Sequence, residues 1–263
     1  MSVVKLNLAP DNRKKVAVIS HERSGTHFLM NTLALNFGYI TDPWWNFDFE
    51  HGLNFHAPHG LHYYLKQVHN QPVLNVLKSH HPIAFFYEFI DYLLDQFHVL
   101  YILRDPRNVM ISNWKLINEL PWDEGPKTKS VSDFMRAEPR GAMMRYQKKQ
   151  EKNLLMRWKN HVAGWLDFAE TERGRQMVLI KYEDLNGRFS DTVTRIGHRI
   201  GLNDGSPKRP AFTENVIGTG TNSASVQREH LSPADEAFIQ CHAGDILKRT
   251  GYYYQSAAAM ASE

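Results

Sequence analysis

The segment Val16-Ala-Val-Ile-Ser20 is a short apolar run rich in β-branched residues, and it leads directly into Ser20-His-Glu-Arg-Ser-Gly-Thr-His-Phe28. A run without polar alternation suits a strand buried on both faces. From Thr26 onward, Phe28, Leu29, Leu33 and Phe37 recur at helical spacing, and Gly38 supplies a stop. A buried strand that turns sharply into a helix is the opening half of a βαβ unit, and it constrains the fold more than any other feature. The pattern recurs. Strands are predicted at 73–77, 98–103 and 177–181, and helices at 106–118, 141–170 and 191–200. Strands alternating with helices predict an α/β domain whose mainly parallel sheet is flanked by helices. Two stretches, 41–70 and 119–140, look irregular and are read as insertions of the kind that form lids or binding loops.

At 263 residues the chain fits a single such domain. About 14 residues at the start and about 9 at the end are expected to be peripheral. One cysteine, Cys241, excludes an internal disulfide and fits a reducing compartment. No apolar run reaches the ~18 residues of a membrane span, and residues 1–15 lack the apolar core of a signal peptide. A cytoplasmic protein without a membrane partner is expected. The net charge of +3, with His neutral, is too small to argue for nucleic acid. The 14 histidines are scattered, with no His-Glu-x-x-His and no cysteine pair, so no metal ligands are assigned. The oligomeric state is not legible.

The turn after the first strand is suited to an anion. A strand, tight turn and helix start gather backbone N–H groups and the positive end of the helix dipole around one point. Gly25 permits close approach, Ser24 and Thr26 add hydroxyls, and Arg23 adds a forked, permanent positive charge. The spacing is not that of a nucleoside triphosphate loop: Ser20 stands at the first glycine position, and no lysine follows Gly25. The lysine and magnesium-binding hydroxyl of a P-loop kinase are therefore not set up. A second anion site is expected at Leu103-Arg-Asp-Pro-Arg-Asn-Val-Met-Ile-Ser-Asn-Trp114, where Arg104 ends a predicted strand and Ser112 lies about two helical turns on. Pro106 suits the first helical position. The plainer alternative is a structural ion pair between Arg104 and Asp105.

Together these motifs resemble those of the sulfotransferases that use 3′-phosphoadenosine 5′-phosphosulfate (PAPS). The first is similar to the family's 5′-phosphosulfate loop, P-K-S-G-T-T-W, and the second to its 3′-phosphate motif, R-D-P-R-D-V-x-x-S. Val76-Leu-Lys-Ser-His-His-Pro82 resembles the K-T-H-x-P segment, and Ile180-Lys-Tyr-Glu-Asp-Leu185 the Y-E-D segment. The resemblance runs from residue 16 to 185 in the family's order, and the stretch from His230 to Tyr252 resembles its closing helix. It implies a P-loop-like fold, PAPS as donor and PAP as product, with no metal required. It also implies His80 as catalytic base, with Lys78 and Arg23 as catalytic cations. Donor contacts fall on Arg23, Ser24, Gly25, Thr26, His27 and Phe28, and on Arg104, Ser112 and Tyr182. The family's R-K-G-x-x-G-D-W-K is not evident; Gly218-Thr-Gly-Thr-Asn-Ser-Ala-Ser225 stands there, with Arg228 as the candidate phosphate ligand. Because neighbouring strand residues point to opposite faces, only one of His80 and His81 should face the site.

The acceptor is expected to be a small molecule with a hydroxyl or amine, including a cationic natural product. Trp44, Trp45, Phe55, His56, Tyr63 and Tyr64 offer aromatic walls, and Asp42, Asp48 and Glu50 offer negative charge. A carbohydrate or protein acceptor is the alternative.

Overall fold

The structure is a computed structural model that describes residues 13–46, 58–202, 205–211 and 231–253. Strand β1 (Lys15–Ser20) is buried along its whole length, as its unbroken apolar run requires. It pairs in parallel with β3 (Asn75–Ser79) on one side and β4 (Phe97–Leu103) on the other. Strand β2 (Ile40–Asn46) adds outside β3, and β5 (Val178–Lys181) outside β4, giving a five-stranded parallel sheet of order β2-β3-β1-β4-β5. In the central register, Val18 stands beside Lys78 and Leu100.

The period-two alternation of each strand divides the core into two. Ala17, Ile19, Leu77, Val99 and Tyr101 face one layer, packed with α2 (Pro58–Asn70), α4 (Pro106–Glu119), α6 (Leu154–Glu170) and α9 (Pro233–Thr250). Val16, Val18, Val76, Leu100, Ile102 and Ile180 face the other, under α1 (Thr26–Phe37) and α8 (Phe189–Arg199). The chain leaves β1 toward the β2 side and leaves β3 toward the β4 side. Connections that depart in opposite directions open a crevice at the carboxyl ends of β1 and β3, the usual ligand position in open parallel sheets.

Several expectations are corrected. The helix expected over 141–170 is a 3₁₀ turn, Gly141–Tyr146, followed by a break and then α6. Residues 147–153 contain no apolar side chain to hold a helix against the core, and Asn153 caps α6 by accepting from the Met156 N–H. The stretch 41–70, read as irregular, holds β2 and α2. Pro43 hid β2 because proline is tolerated only in an edge strand, which β2 is. Leu61, Leu65 and Val68 are the apolar stripe of α2. The stretch 119–140 contains the short α5 (Val131–Arg136), capped by Ser130. A short α3 (Ile90–Gln96) precedes β4, and α7 (Tyr182–Gly187) joins β5 to α8. Helix α9 begins with a capping box of Ser232 and Asp235 and ends at Gly251 in the left-handed region.

Candidate active site

The turn between β1 and α1 is held in an unusual conformation. Arg23 has φ 64°, the one non-glycine residue with positive φ among those described, and Gly25 has φ 96°. A left-handed non-glycine residue is strained, and such strain persists only where the surroundings fix it. Ser112 accepts from Arg23 Nε at 2.9 Å, and Arg104 donates to the Arg23 carbonyl at 3.2 Å. Gly25 lies directly under the Tyr182 ring, where an added Cβ would come within 2.3 Å of Cδ2. No side chain caps the start of α1, and the buried Ser24 hydroxyl has no hydrogen-bond partner among the described residues. The turn therefore offers open donors to an anion.

The β4–β5 side supplies further positive charge. Arg104 is buried and its guanidinium lies 4.3 Å from the centre of the Tyr182 ring. Asp105 pairs with Arg107 at 3.2 Å and caps α4 by accepting from the Arg107 N–H. Burial pushes both Arg104 and Arg23 below the usual guanidinium range, and for Arg23 the charge of Arg104 adds to the effect. A buried and a half-buried cation set close together are relieved by an anion between them. Phe28 meets Tyr182 edge-on at 6.2 Å between ring centres. Arg209, a residue without a sequence signal, lies 5.2 Å from the Phe28 ring centre and donates to the Asn186 carbonyl at 2.8 Å.

The β3 side carries the candidate base. Lys78, next to last in β3, is buried, its Nζ 6.0 Å from the Trp44 ring centre. The Nδ1 of His80 is 2.9 Å from the Ser20 carbonyl and 3.2 Å from the Ser20 hydroxyl, which in turn bonds Thr26 at 2.7 Å. A carbonyl only accepts, so Nδ1 carries the proton and Nε2 keeps the lone pair. His161 Nε2 donates to the His80 carbonyl at 3.2 Å, which leaves its Nδ1 to accept from the Tyr101 hydroxyl at 3.0 Å. His81 points the other way, stacked 3.8 Å from Phe85 within the core.

A second network lies behind the turn. Arg157, from α6, binds both carboxylate oxygens of Glu22, at 2.9 Å and 2.5 Å, and donates to His21 Nε2 at 3.0 Å. Burial alone would raise the Glu22 carboxyl, but the charge and hydrogen bonds of Arg157 outweigh it and hold it well below the usual range. Burial also lowers His21, to about 4, so it stays neutral. The carboxylate is thus neutralised away from the anion site. Glu22 stands where the resembled motif has proline, but its partner lies 135 residues away and was not legible.

The structure brings Arg23, Ser24, Gly25, Thr26, His27, Phe28, Lys78, His80, Arg104, Ser112 and Tyr182 to the carboxyl edge of one sheet. Arg228, with the segment 218–228, lies outside the described residues, as do Asp48, Glu50, Phe55 and His56. Of the expected acceptor-site aromatics, Tyr64 is buried in the core against Trp45, and Tyr63 is 68% exposed. Asp42 is exposed on the edge strand.

Comparison with known proteins agrees with this geometry. Residues 13–210 match the model of the sulfotransferase domain. No curated protein matches the chain by sequence. Among solved structures, retinol dehydratase in a complex with retinol and PAP superposes with TM-score 0.60 at 17% identity, over 94% of this chain and 85% of the other. A mouse sulfotransferase complexed with PAP gives 0.59 at 12%, over 86% and 82%. A sulfotransferase from Alicyclobacillus acidocaldarius gives 0.53 at 15%, over 95% and 99%. At these identities the structures establish a common fold, and the family match covers most of the sequence. The chain belongs to the sulfotransferase domain family.

Proposed function

We propose that this sulfotransferase moves the sulfuryl group of PAPS to a hydroxyl or amine of a small-molecule acceptor, with His80 as base. The observation that carries this reading is the lock on His80. The Ser20 carbonyl fixes its proton on Nδ1 and so makes Nε2 the basic nitrogen, beside a turn open to an anion. The acceptor oxygen or nitrogen attacks sulfur, and its proton passes to Nε2 of His80. The bond from sulfur to the bridging oxygen breaks, and the electron pair leaves on the 5′-phosphate of PAP. Arg23 and Lys78 neutralise charge that grows on the bridging and sulfuryl oxygens, while the uncapped start of α1, Ser24 and Thr26 hold the 5′-phosphate. Arg104 and Ser112 hold the 3′-phosphate, and Phe28 and Tyr182 flank the adenine. The PAP-bound neighbours support this choice of donor.

A small acceptor is supported by the absence of a strong basic character in the chain, which carries only +3. A preference for cationic acceptors would rest on Asp48 and Glu50, because Asp42 faces solvent. The test is incubation with PAPS and a panel of neutral phenols, cationic alkaloids and sulfated glycans, with products read by mass spectrometry. Sulfation of the phenols or alkaloids supports the proposal. Preferential sulfation of the glycans overturns the small-molecule reading, and equal use of phenols and alkaloids removes the role of the acidic residues. Transfer is expected to persist in EDTA, since every charge it needs is supplied by protein side chains; loss restored by magnesium would overturn that expectation.

A further inference from the structure

His27 occupies the first turn of α1, inside the anion turn, where a hydroxyl would be enough to contact a phosphate. An imidazole there adds something a hydroxyl lacks, a charge that can be switched on. Its ring packs edge-on against Trp44 of β2, 5.2 Å between centres, and the same indole lies beside Lys78 of β3. Its Nδ1 is buried and has no hydrogen-bond partner among the described residues. The ionisable groups that act on it are Lys78 and His80 from β3 and the residue after it, and Arg23 from the turn. Trp44, from β2, is not ionisable, and α1 directs the positive end of its dipole at the same place. A buried polar atom without a partner, set among cations, marks a place where an anionic ligand is expected to complete the bonding.

We propose that His27 takes up a proton from solvent as the nucleotide binds, so that nucleotide binding is coupled to protonation through this residue. In the free protein the imidazole is neutral: burial, then Lys78, His80 and Arg23, lower it to about 3. The phosphate and sulfate charges of the nucleotide enter the same cluster and reverse the sign of the local field. The neutral ring then gains one proton, both ring nitrogens become donors, and Nδ1 acquires an acceptor. Affinity for the nucleotide should therefore rise as pH falls, and part of that rise belongs to His27. This inference rests on the donor assignment above.

The test is calorimetric titration of the wild type and of His27→Asn with PAP, in buffers of different ionisation enthalpy, from pH 7.5 to 5.5. The phosphates of PAP titrate in this range as well, but their contribution is common to both proteins and cancels in the difference. If bound His27 returns to the ordinary imidazole value of about 6.5, wild-type affinity gains roughly tenfold more than the variant across this interval, and close to one extra proton is taken up at pH 5.5. His27→Thr should behave like the Asn variant. Equal proton uptake in wild type and variants, or a difference that follows His80→Asn instead, overturns the inference and leaves the donor assignment standing. No binding of PAP at any pH overturns both. If the variants fail to fold, the His27 imidazole resonances of the wild-type protein decide: a neutral ring in the PAP complex at pH 5.5 overturns the inference.

Discussion

Arg104 and His80 are held in place by the protein's own contacts, which bears on the roles proposed for them. The Arg104 guanidinium is buried against the Tyr182 ring and tied to the Arg23 carbonyl. Charge-assisted hydrogen bonds contribute about 1.5–3 kcal/mol each, so Arg104→Ala is expected to weaken PAP by about 10–100-fold. Unchanged calorimetric affinity would remove Arg104 from the 3′-phosphate site. For His80 the expected loss on changing to Ala is about 10²–10⁴-fold in turnover, with PAP affinity nearly intact. His81→Ala should behave differently. It removes a fully buried ring stacked on Phe85, so thermal stability falls while turnover of the folded fraction is largely kept. An inactive but stable His81→Ala protein would reassign the base to the neighbouring residue.

At the scale of elements, the β1–α1 turn is held from three sides. Helix α6 reaches it through Arg157 and Glu22, α4 through Ser112, and the end of β4 through Arg104. These ties explain how a non-glycine residue can stay at φ 64°. Gly25 is the turn's most sensitive point. Gly25→Ala would place a methyl group at φ 96° and inside contact distance of the Tyr182 ring. The backbone term alone costs about 1–2 kcal/mol, and the collision displaces Tyr182 from both Arg104 and Phe28. The expected result is a folded protein with a lower Tm and at least tenfold weaker PAP binding. Normal PAP affinity in this variant would show that the close approach of turn and ring is not needed.

Across the whole molecule, stability should respond to acid through neutral histidines that are buried or half-buried. Burial lowers His21 to about 4, His98 to about 4 and His27 to about 3, and it holds His161 well below the ordinary value. In the unfolded chain each titrates near 6.5. Between the two values the unfolded state binds more protons, so stability is full above pH 6.5 and falls as pH drops toward 4. For the fully buried His21 the loss is on the order of 2 kcal/mol by pH 4.5. Asp235, lowered to about 2 by hydrogen bonds that outweigh its burial, adds a further loss below pH 4. Tm measured from pH 7.5 to 4.5 should decline steadily. A flat profile would mean that these imidazoles are protonated in the folded state.

The sequence by itself determined the frame of this protein. The apolar β-branched runs of β1 and β4, each followed at once by a turn and a helix, are local signals, and they sufficed for a parallel α/β sheet and for the anion turn at its edge. Spacing within one segment also placed Arg104 just before α4 and Ser112 within it, and in the structure both hydrogen-bond to Arg23. Where local signals were weak, the reading failed. The break before α6 turned on an Asn cap and a stretch without apolar residues, and β2 contains a proline that only an edge position tolerates. What only the tertiary structure decided are the contacts between distant segments: Arg157 on Glu22, Ser20 on His80, Trp44 on His27, and Tyr182 over Gly25. No periodicity encodes these, because they depend on how separate elements pack at the sheet edge. Burial at that edge then decided which histidines stay neutral, since the environment that shifts an imidazole exists only once the chain has folded.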